Sequence, residues 1–545
     1  PEMTSTDTPP GLAVAPAGPS ARRPAKGPRL VEREVPGAVW TLGGFALAVG
    51  LWWLVAVSGL LPSGSVPSPP SVAEDLIENF SFYLTNAAPT LVTALEGFAI
   101  AVVISLVFGA AGSLTGLLER SVSRVALAVY CLPLPALLPL ISSLAGAGQP
   151  TRITMAVLFS FFPMLIGVIA GLRATPADIA AIVHCAGGGR LHILRKVGLR
   201  AALPNIVAGM RIAGPGAFLG ALVAEFSGAD DGLGVVLVVS QQKLQTAQTW
   251  GVAIVATVIG GLLYVAITAM GRWLHVDPVE SQSSFGAVPG AGLLQRVAEF
   301  LTPAVALIVI WVAIIQFGGV SPLVFKSPLD VLDYLIGNPA AAAHRSALTT
   351  DWLITMRDMG MIFGVGMAAA IIAGCVLVSF PALLRLGLPL LLASQCVPQI
   401  AFIPLLVAIC GRGTAFIIVT GLLVVFFPAM IVIVTALEER SRSTLDLVSV
   451  YGGGRWATLR FVRIPGAVPG ILNAARISIP LALFGAVVAE WLVTGNGISE
   501  AMTTATTTFD YTRLWADVVV VTVTVIVLYE VVAVLHERAR RRFSI

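Results

Sequence analysis

The chain holds 545 residues, 57% of them hydrophobic and only 11% charged, with a mean hydropathy of +0.91 and a formal net charge of +4. Soluble domains carry about 25% charged residues, so this composition excludes a soluble enzyme and describes a protein built for a bilayer. Its basic residues gather in short clusters beside apolar runs, which argues against a nucleic-acid surface.

In chain order, residues 1–36 are rich in Pro, Ala, Gly and Ser with scattered arginines; they cannot build a core and are predicted to be a disordered cytoplasmic tail. The apolar run 38–61 is too long for a signal-peptide core and lacks a good small-residue exit, so it is expected to remain as a first span. Eleven more runs of roughly 20 residues follow, at 92–117, 125–147, 153–172, 205–226, 249–271, 297–318, 358–379, 387–410, 414–436, 470–492 and 515–536. Basic clusters at Arg22 to Arg33, Arg120 and Arg124, Arg190 to Arg200 and Arg538 to Arg542 place both termini in the cytoplasm. The stretches 62–90 and 227–248 then face outward. Cys131, Cys185, Cys375, Cys396 and Cys410 never form a CxxC and read as packing residues.

The chain is written twice. At a spacing of 265, Cys131 matches Cys396, Pro133 matches Pro398, Phe161, Phe162 and Pro163 match Phe426, Phe427 and Pro428, and Arg211 matches Arg476. Ala224-Glu225 pairs with Ala489-Glu490, and Gly232 with Gly497. Shared hydrophobicity would not reproduce polar and glycine positions, so this is duplication. Upstream, Pro69 and Val72 correspond to Pro328 and Val331 at a spacing of 259. Six spans per copy is an even number, which predicts an all-α membrane protein of about twelve helices in two parallel six-helix repeats. The first transmembrane domain is placed at 37–272, a polar linker at 273–295 and the second domain at 296–545.

The densest part of the repeat is the loop "AGGGRLHILRKVGLRAALPNIV" and its copy "YGGGRWATLRFVRIPGAVPGIL". Burying Arg190, Arg195, Lys196 and Arg200 would cost about 2.5–3.5 kcal/mol each, so the loop lies in water. A short helix before Gly187 or Gly452 is broken by the glycine run. A second short helix then carries Leu191, Leu194 and Val197, or Trp456, Leu459 and Val462, on one face, before Pro204 or Pro469 opens the next membrane helix. Such an exposed ridge suits either a partner's groove or the membrane surface and the protein's own bundle; residue types leave both open.

The loop resembles the EAA motif of bacterial ABC importer permeases. Asp446, Gly452, Val462 and Ile464-Pro465 stand at the acid, glycine, hydrophobic and Leu-Pro positions. In the first copy Gly187, Val197 and Leu199 fit, while Ala181 replaces the acid and Arg200 the proline. "SGSVPSPPSV" with "FKSPLDV", and "AEFSGADDGLGVVL" with "AEWLVTGNGIS", are similar to the nitrate/sulfonate/taurine group of permeases. The resemblance implies a type I ABC importer transmembrane fold with coupling loops at 174–204 and 437–469. It also implies two copies of a cytoplasmic ATP-binding cassette subunit holding ATP and Mg, and an external substrate-binding protein. The setting would be the bacterial cytoplasmic membrane, and the solute nitrate, a sulfonate, taurine or a similar anion, although permeases for pyrimidine vitamin precursors look alike. Residues implied in ATPase coupling are Gly187, Arg190, Leu191, Leu194, Val197, Asp446, Gly452, Arg455, Trp456, Leu459, Val462 and Pro465.

The four lysines, Lys26, Lys196, Lys243 and Lys326, stand outside any G-x-x-x-x-G-K-[ST] loop, so no cofactor is expected in this chain and ATP hydrolysis is expected in a partner. His184 and His192 face Ser449 and Ala457 in the repeat and mark no symmetric site. Glu225 and Glu490, at the outer ends of the fifth and eleventh spans, are candidates for the translocation pathway because buried charge is expensive. Pro133 and Pro398 join them as breaks in the third and ninth spans. Arg211 and Arg476 are expected to snorkel to the cytoplasmic surface. An ion-coupled secondary transporter with six plus six helices is the alternative, but it would be expected to carry more ionisable residues in mid-span.

Overall fold

The computed structural model describes residues 37–58, 66–226, 229–275, 305, 307–317, 319, 321–380, 382–387, 403–439 and 442–543. The expected tail, most of the linker and of the ninth span, Cys396 and Pro398 lie outside the described residues. Every described element is helical. In the first half these are α1 (Gly37–Val57), α2 (Pro69–Glu78), α3 (Phe80–Leu114), α4 (Gly116–Tyr130), α5 (Leu138–Ala145), α6 (Gln149–Arg173), α7 (Ala177–Cys185), α8 (Arg190–Glu225), α9 (Leu233–Gln242) and α10 (Thr246–Trp273). The second half contributes α11 (Leu307–Phe317), α12 (Pro328–Leu332), α13 (Ala341–Ser379), α14 (Ile403–Cys410), α15 (Thr414–Glu438), α16 (Arg442–Val450), α17 (Arg455–Thr494), α18 (Gly497–Thr507) and α19 (Tyr511–Phe543).

Eight of these helices are long and apolar enough to cross a bilayer, four in each half. The first and seventh expected spans are the shorter apolar helices α1 and α11. The third is broken, as its prolines predict: α4 ends at Tyr130, residues 131–137 form turns around the buried Pro133, and α5 resumes at Leu138.

The second span starts earlier than its apolar run at 92–117: α2 and the first turns of α3 fill most of the stretch 62–90, and α3 at 35 residues extends about 52 Å at 1.5 Å per residue, well beyond a core of about 30 Å. Ser81, Thr85, Asn86 and Thr90 lower the hydropathy of its first turns, so the apolar run begins only at residue 92. The short helices before these spans are set by capping. Ser68 accepts from the Ser71 N–H at 3.4 Å with Pro69 at the first position, and Ser327 and Asp330 form a reciprocal capping box. Val72 and Val331 fix both by burial.

Each half clamps its first span to its last with stacked tryptophans. Trp52 lies 4.7 Å from Trp250, and Trp311 lies 5.0 Å from Trp515. One indole of each pair also has a hydrogen-bond partner: Trp52 donates to the Pro67 carbonyl at 3.1 Å and Trp515 to the Val324 carbonyl at 2.9 Å. One apolar core runs through both halves. At the seam Phe159 of α6 meets Phe484 of α17 edge-on at 6.0 Å. Arg476 does not snorkel. It is buried with its guanidinium 4.4 Å over the Tyr529 ring, a contact that offsets its removal from water.

Candidate functional site

At one end of the bundle each copy presents the duplicated loop to solvent. α7 ends where Gly187 takes φ 82°, with the Gly187 N–H donating to His184 O at 2.9 Å and the Gly188 N–H to Val183 O at 2.9 Å. Helix α16 ends identically: Gly452 has φ 73°, its N–H donates to Ser449 O at 3.0 Å, and the Gly453 N–H donates to Val448 O at 2.9 Å. These paired bonds satisfy the last carbonyls of the helix, and the left-handed residue that makes them possible favours glycine.

Contrary to the expectation from the sequence, the second short helix is continuous with the membrane helix. Arg190–Ile193 passes through a π turn, Leu194–Gly198, straight into Leu199–Glu225, and Arg455–Thr458 passes through Leu459–Arg463 into Ile464–Ala489. Pro204 and Pro469 lie inside the continuous helices. The π turn also rotates the side chains out of a simple three-residue repeat. Leu191 and Trp456 are 60% and 75% exposed, but Leu459 is 5% exposed and faces inward, while Leu194, Val197 and Val462 are half-buried. The exposed apolar surface of the second copy is completed instead by Val450, Tyr451 and Phe461; the first copy offers Ile179, Ile182 and Leu191. Asp446 and Arg455 are exposed and Pro465 is half-buried at the start of the membrane helix.

Each lever is tied to the C-terminus of the second span of its half. Arg190 donates to the Leu114 carbonyl at 2.7 Å, and in the second half Arg463 donates to the Val378 carbonyl at 3.1 Å. A cation on the last carbonyls of a helix satisfies otherwise orphaned acceptors. The register between copies is loose here, since Arg463 corresponds to Gly198 and not to Arg190.

Glu225 and Glu490 occupy the opposite end of the same continuous helices, and both are buried. Glu225 Oε1 accepts from Thr90 Oγ1 at 2.7 Å and Oε2 from the Gly234 N–H at 2.7 Å, while Thr90 Oγ1 accepts from the Leu233 N–H at 3.0 Å. In the second copy Glu490 Oε2 accepts from the Ser499 N–H at 3.1 Å, and Thr355 Oγ1 from the Ile498 N–H at 3.0 Å. Each glutamate thus latches the N-terminus of the following short helix, α9 or α18, onto the long one. Gly232 and Gly497 have φ 117° and 78°, and a Cβ at either would strike the glutamate carboxyl group. Thr90 and Thr355 were not among the residues singled out from the sequence, although they too stand 265 apart. The copies differ in charge: Arg152 pairs with Asp231 at 2.8 Å and approaches Glu225 at 4.0 Å, whereas its counterpart is Ile417. Pro133 sits in the buried break of the third span.

Comparison with known proteins identifies this arrangement. A profile for the "binding-protein-dependent transport system inner membrane component" matches residues 101–276 and again 360–545. A probable ABC transporter permease protein of Haemophilus influenzae is 30% identical over 221 residues, 40% of this chain and 89% of the relative. The formylaminopyrimidine transport permease protein ThiX of Halalkalibacterium halodurans is 26% identical over 191 residues, 35% and 76% of the two chains. The taurine transport system permease protein TauC of Escherichia coli is 28% identical over 250 residues, 43% and 88%. No solved structure matches. The two profile matches fall on the two copies read from the repeat, and the chain belongs to the family of binding-protein-dependent transport system inner-membrane components, as a multi-pass membrane protein with two permease units in one polypeptide.

Proposed function

We propose that the chain forms the membrane-spanning pathway of an ATP-driven importer, with each exposed lever seated in a cleft of one of two separate cytoplasmic ATP-binding cassette subunits. ATP and Mg belong to those subunits. A small solute, handed over by an external binding protein, passes along the seam between the halves. Both termini and both levers then lie on the cytoplasmic side.

The observation that carries this reading is the continuity of lever and span. A helix of 36 residues from Arg190 to Glu225, and one of 40 from Arg455 to Thr494, run from an exposed apolar tip to a latched far end. Each is one continuous helix about 54–60 Å long. Motion supplied at the lever end would then travel to the latched short helices along a single unbroken helix. The named relatives handle small solutes of two chemical kinds, a sulfonate and a nitrogen heterocycle.

The test is reconstitution of the full chain with the ATPase subunit that accompanies it. Expected is a stable complex in which ATP hydrolysis drives solute uptake, and no hydrolysis by the chain alone. Uptake into vesicles driven by an ion gradient without ATP would establish the secondary-transporter alternative instead.

A further inference from the structure

The two latches balance charge differently. In the first, both carboxylate oxygens of Glu225 are hydrogen-bonded and Arg152 stands 4.0 Å away. In the second, Ile417 takes the place of Arg152 and an acid, Asp358, takes that of the neutral Thr93. Asp351, Thr355, Asp358 and Ile362 are spaced three and four apart and share one face of α13. A Cβ on Gly485 of α17 would stand 3.4 Å from Ile362 Cδ1, and Thr355 accepts from the Ile498 N–H at the start of α18. These two contacts bracket Asp358, which therefore faces the end of α17 where Glu490 stands, and its charge bears on the Glu490 carboxylate. Asp351 bears on it as well, but is paired with Arg513 at 2.8 Å.

A third group enters from α18. A Cβ on Gly234, the first-half counterpart of Ser499, would stand 2.7 Å from Glu225 Cβ and 3.1 Å from its Oε2, so a side chain at this position points at the glutamate. In the second half, where the long helix ends in the π turn Glu490–Thr494, that place belongs to the Ser499 hydroxyl. Asp358, Glu490 and Ser499 are each 0% exposed, and among the described residues no hydrogen bond reaches Asp358 Oδ2, Glu490 Oε1 or Ser499 Oγ. The other carboxylate oxygens are committed. Asp358 Oδ1 accepts from Arg357 Nε at 2.8 Å with Nη2 equally close, and Glu490 Oε2 accepts from the Ser499 N–H at 3.1 Å. Two carboxylates against one guanidinium leave one negative charge buried.

We propose that the second latch holds one monovalent alkali cation on Glu490 Oε1, Asp358 Oδ2 and the Ser499 hydroxyl, as a resident ion of the fold distinct from the transported solute. Oxygen donors suit a hard cation, which completes its shell with water or carbonyl oxygens. The serine supplies lone pairs without adding charge. A single positive charge matches the single uncompensated negative one, whose burial is otherwise strongly unfavourable. Arg152 meets the same need in the first half, which is why an ion belongs to one latch and not to both.

Thermal melting of the full chain in lipid nanodiscs tests it, with sodium, potassium or choline chloride at constant ionic strength. Expected is a melting temperature that rises by about 2 °C for each tenfold increase in sodium or potassium above its dissociation constant, and no such response to choline. Asp358→Asn keeps the shape and removes the charge; it should melt at or above the parent in choline and lose the alkali-metal response. Ser499→Ala removes one ligand and should move the response to about tenfold higher salt. Equal melting in all three salts, an undiminished response in Asp358→Asn, or a response to pH alone, which would mean a proton shared by the two carboxylates, would overturn the site.

Discussion

A positive φ narrows the choice of residue, and each lever turns on one such position. At Gly187 and Gly452 no atom lies within 4 Å of where a Cβ would stand, so substitution meets only backbone strain, of about 1–2 kcal/mol. Gly452→Ala is therefore expected to leave the bundle folded and to reduce ATP-driven uptake several-fold, whereas Gly452→Asn, which tolerates left-handed geometry better, stays closer to the parent. Uptake assays that rank alanine at or above asparagine would contradict this. At the latches, Thr90→Val and Glu490→Ala each remove partners of buried N–H groups, expected to cost about 1–3 kcal/mol and to lower the melting temperature of the purified chain. Equal melting would show that these bonds hold nothing in place. Among exposed groups, the Asp330 carboxylate accepts from the Ser327 backbone N–H and is held below the usual carboxylate range. The contribution of that cap is full at neutral pH and is lost only as pH falls through the lowered value. The glutamates were legible in the sequence because Ala-Glu recurs in register. Their threonine partners were not, because the spacing slips from 259 at Val72 and Val331 to 265 by Thr90 and Thr355, inside a stretch that reads as loop.

At the scale of elements, the glycines did mark the turns that end α7 and α16, but the sequence reading cut the following segments from the spans at Pro204 and Pro469. A proline inside a membrane helix is tolerated because neighbouring groups satisfy the freed carbonyl. Here a second pair, Pro215 and Pro480, is carried by the same helices further on. The apolar ridge was half legible: Leu191 and Trp456 face solvent, while the π turn, which no composition signal announces, turns Leu459 inward. Rigidity of the junction is the testable consequence. Two glycines inserted after Arg463 are expected to preserve ATP hydrolysis by the assembled complex and abolish uptake; uptake at parental rates would show that force does not travel along α17. The tryptophan clamps make a separate prediction. Trp515→Ala removes both the stack on Trp311 and the bond to Val324, at about 3–5 kcal/mol, and should expose α11 to limited proteolysis while leaving α1 protected.

For the whole molecule, duplication explains why one chain carries two levers, two latches and two clamps, and divergence explains why they are unequal. The second lever keeps Asp446 and the larger apolar tip, and the first keeps the charged strap of Arg152, Asp231 and Glu225 at its far end. The even span count that predicted parallel halves agrees with the repeated order of elements, although four of the twelve expected spans appear in the described residues only as short or broken helices. Spin labels at Leu191→Cys and Trp456→Cys, in the complex with its ATPase subunits, test force transmission through the levers most directly by pulsed electron resonance. The distance between labels is expected to shorten when ATP and vanadate trap the closed ATPase dimer and to lengthen again on release. An identical distance distribution in both states, from a complex that still takes up solute, would contradict the lever mechanism.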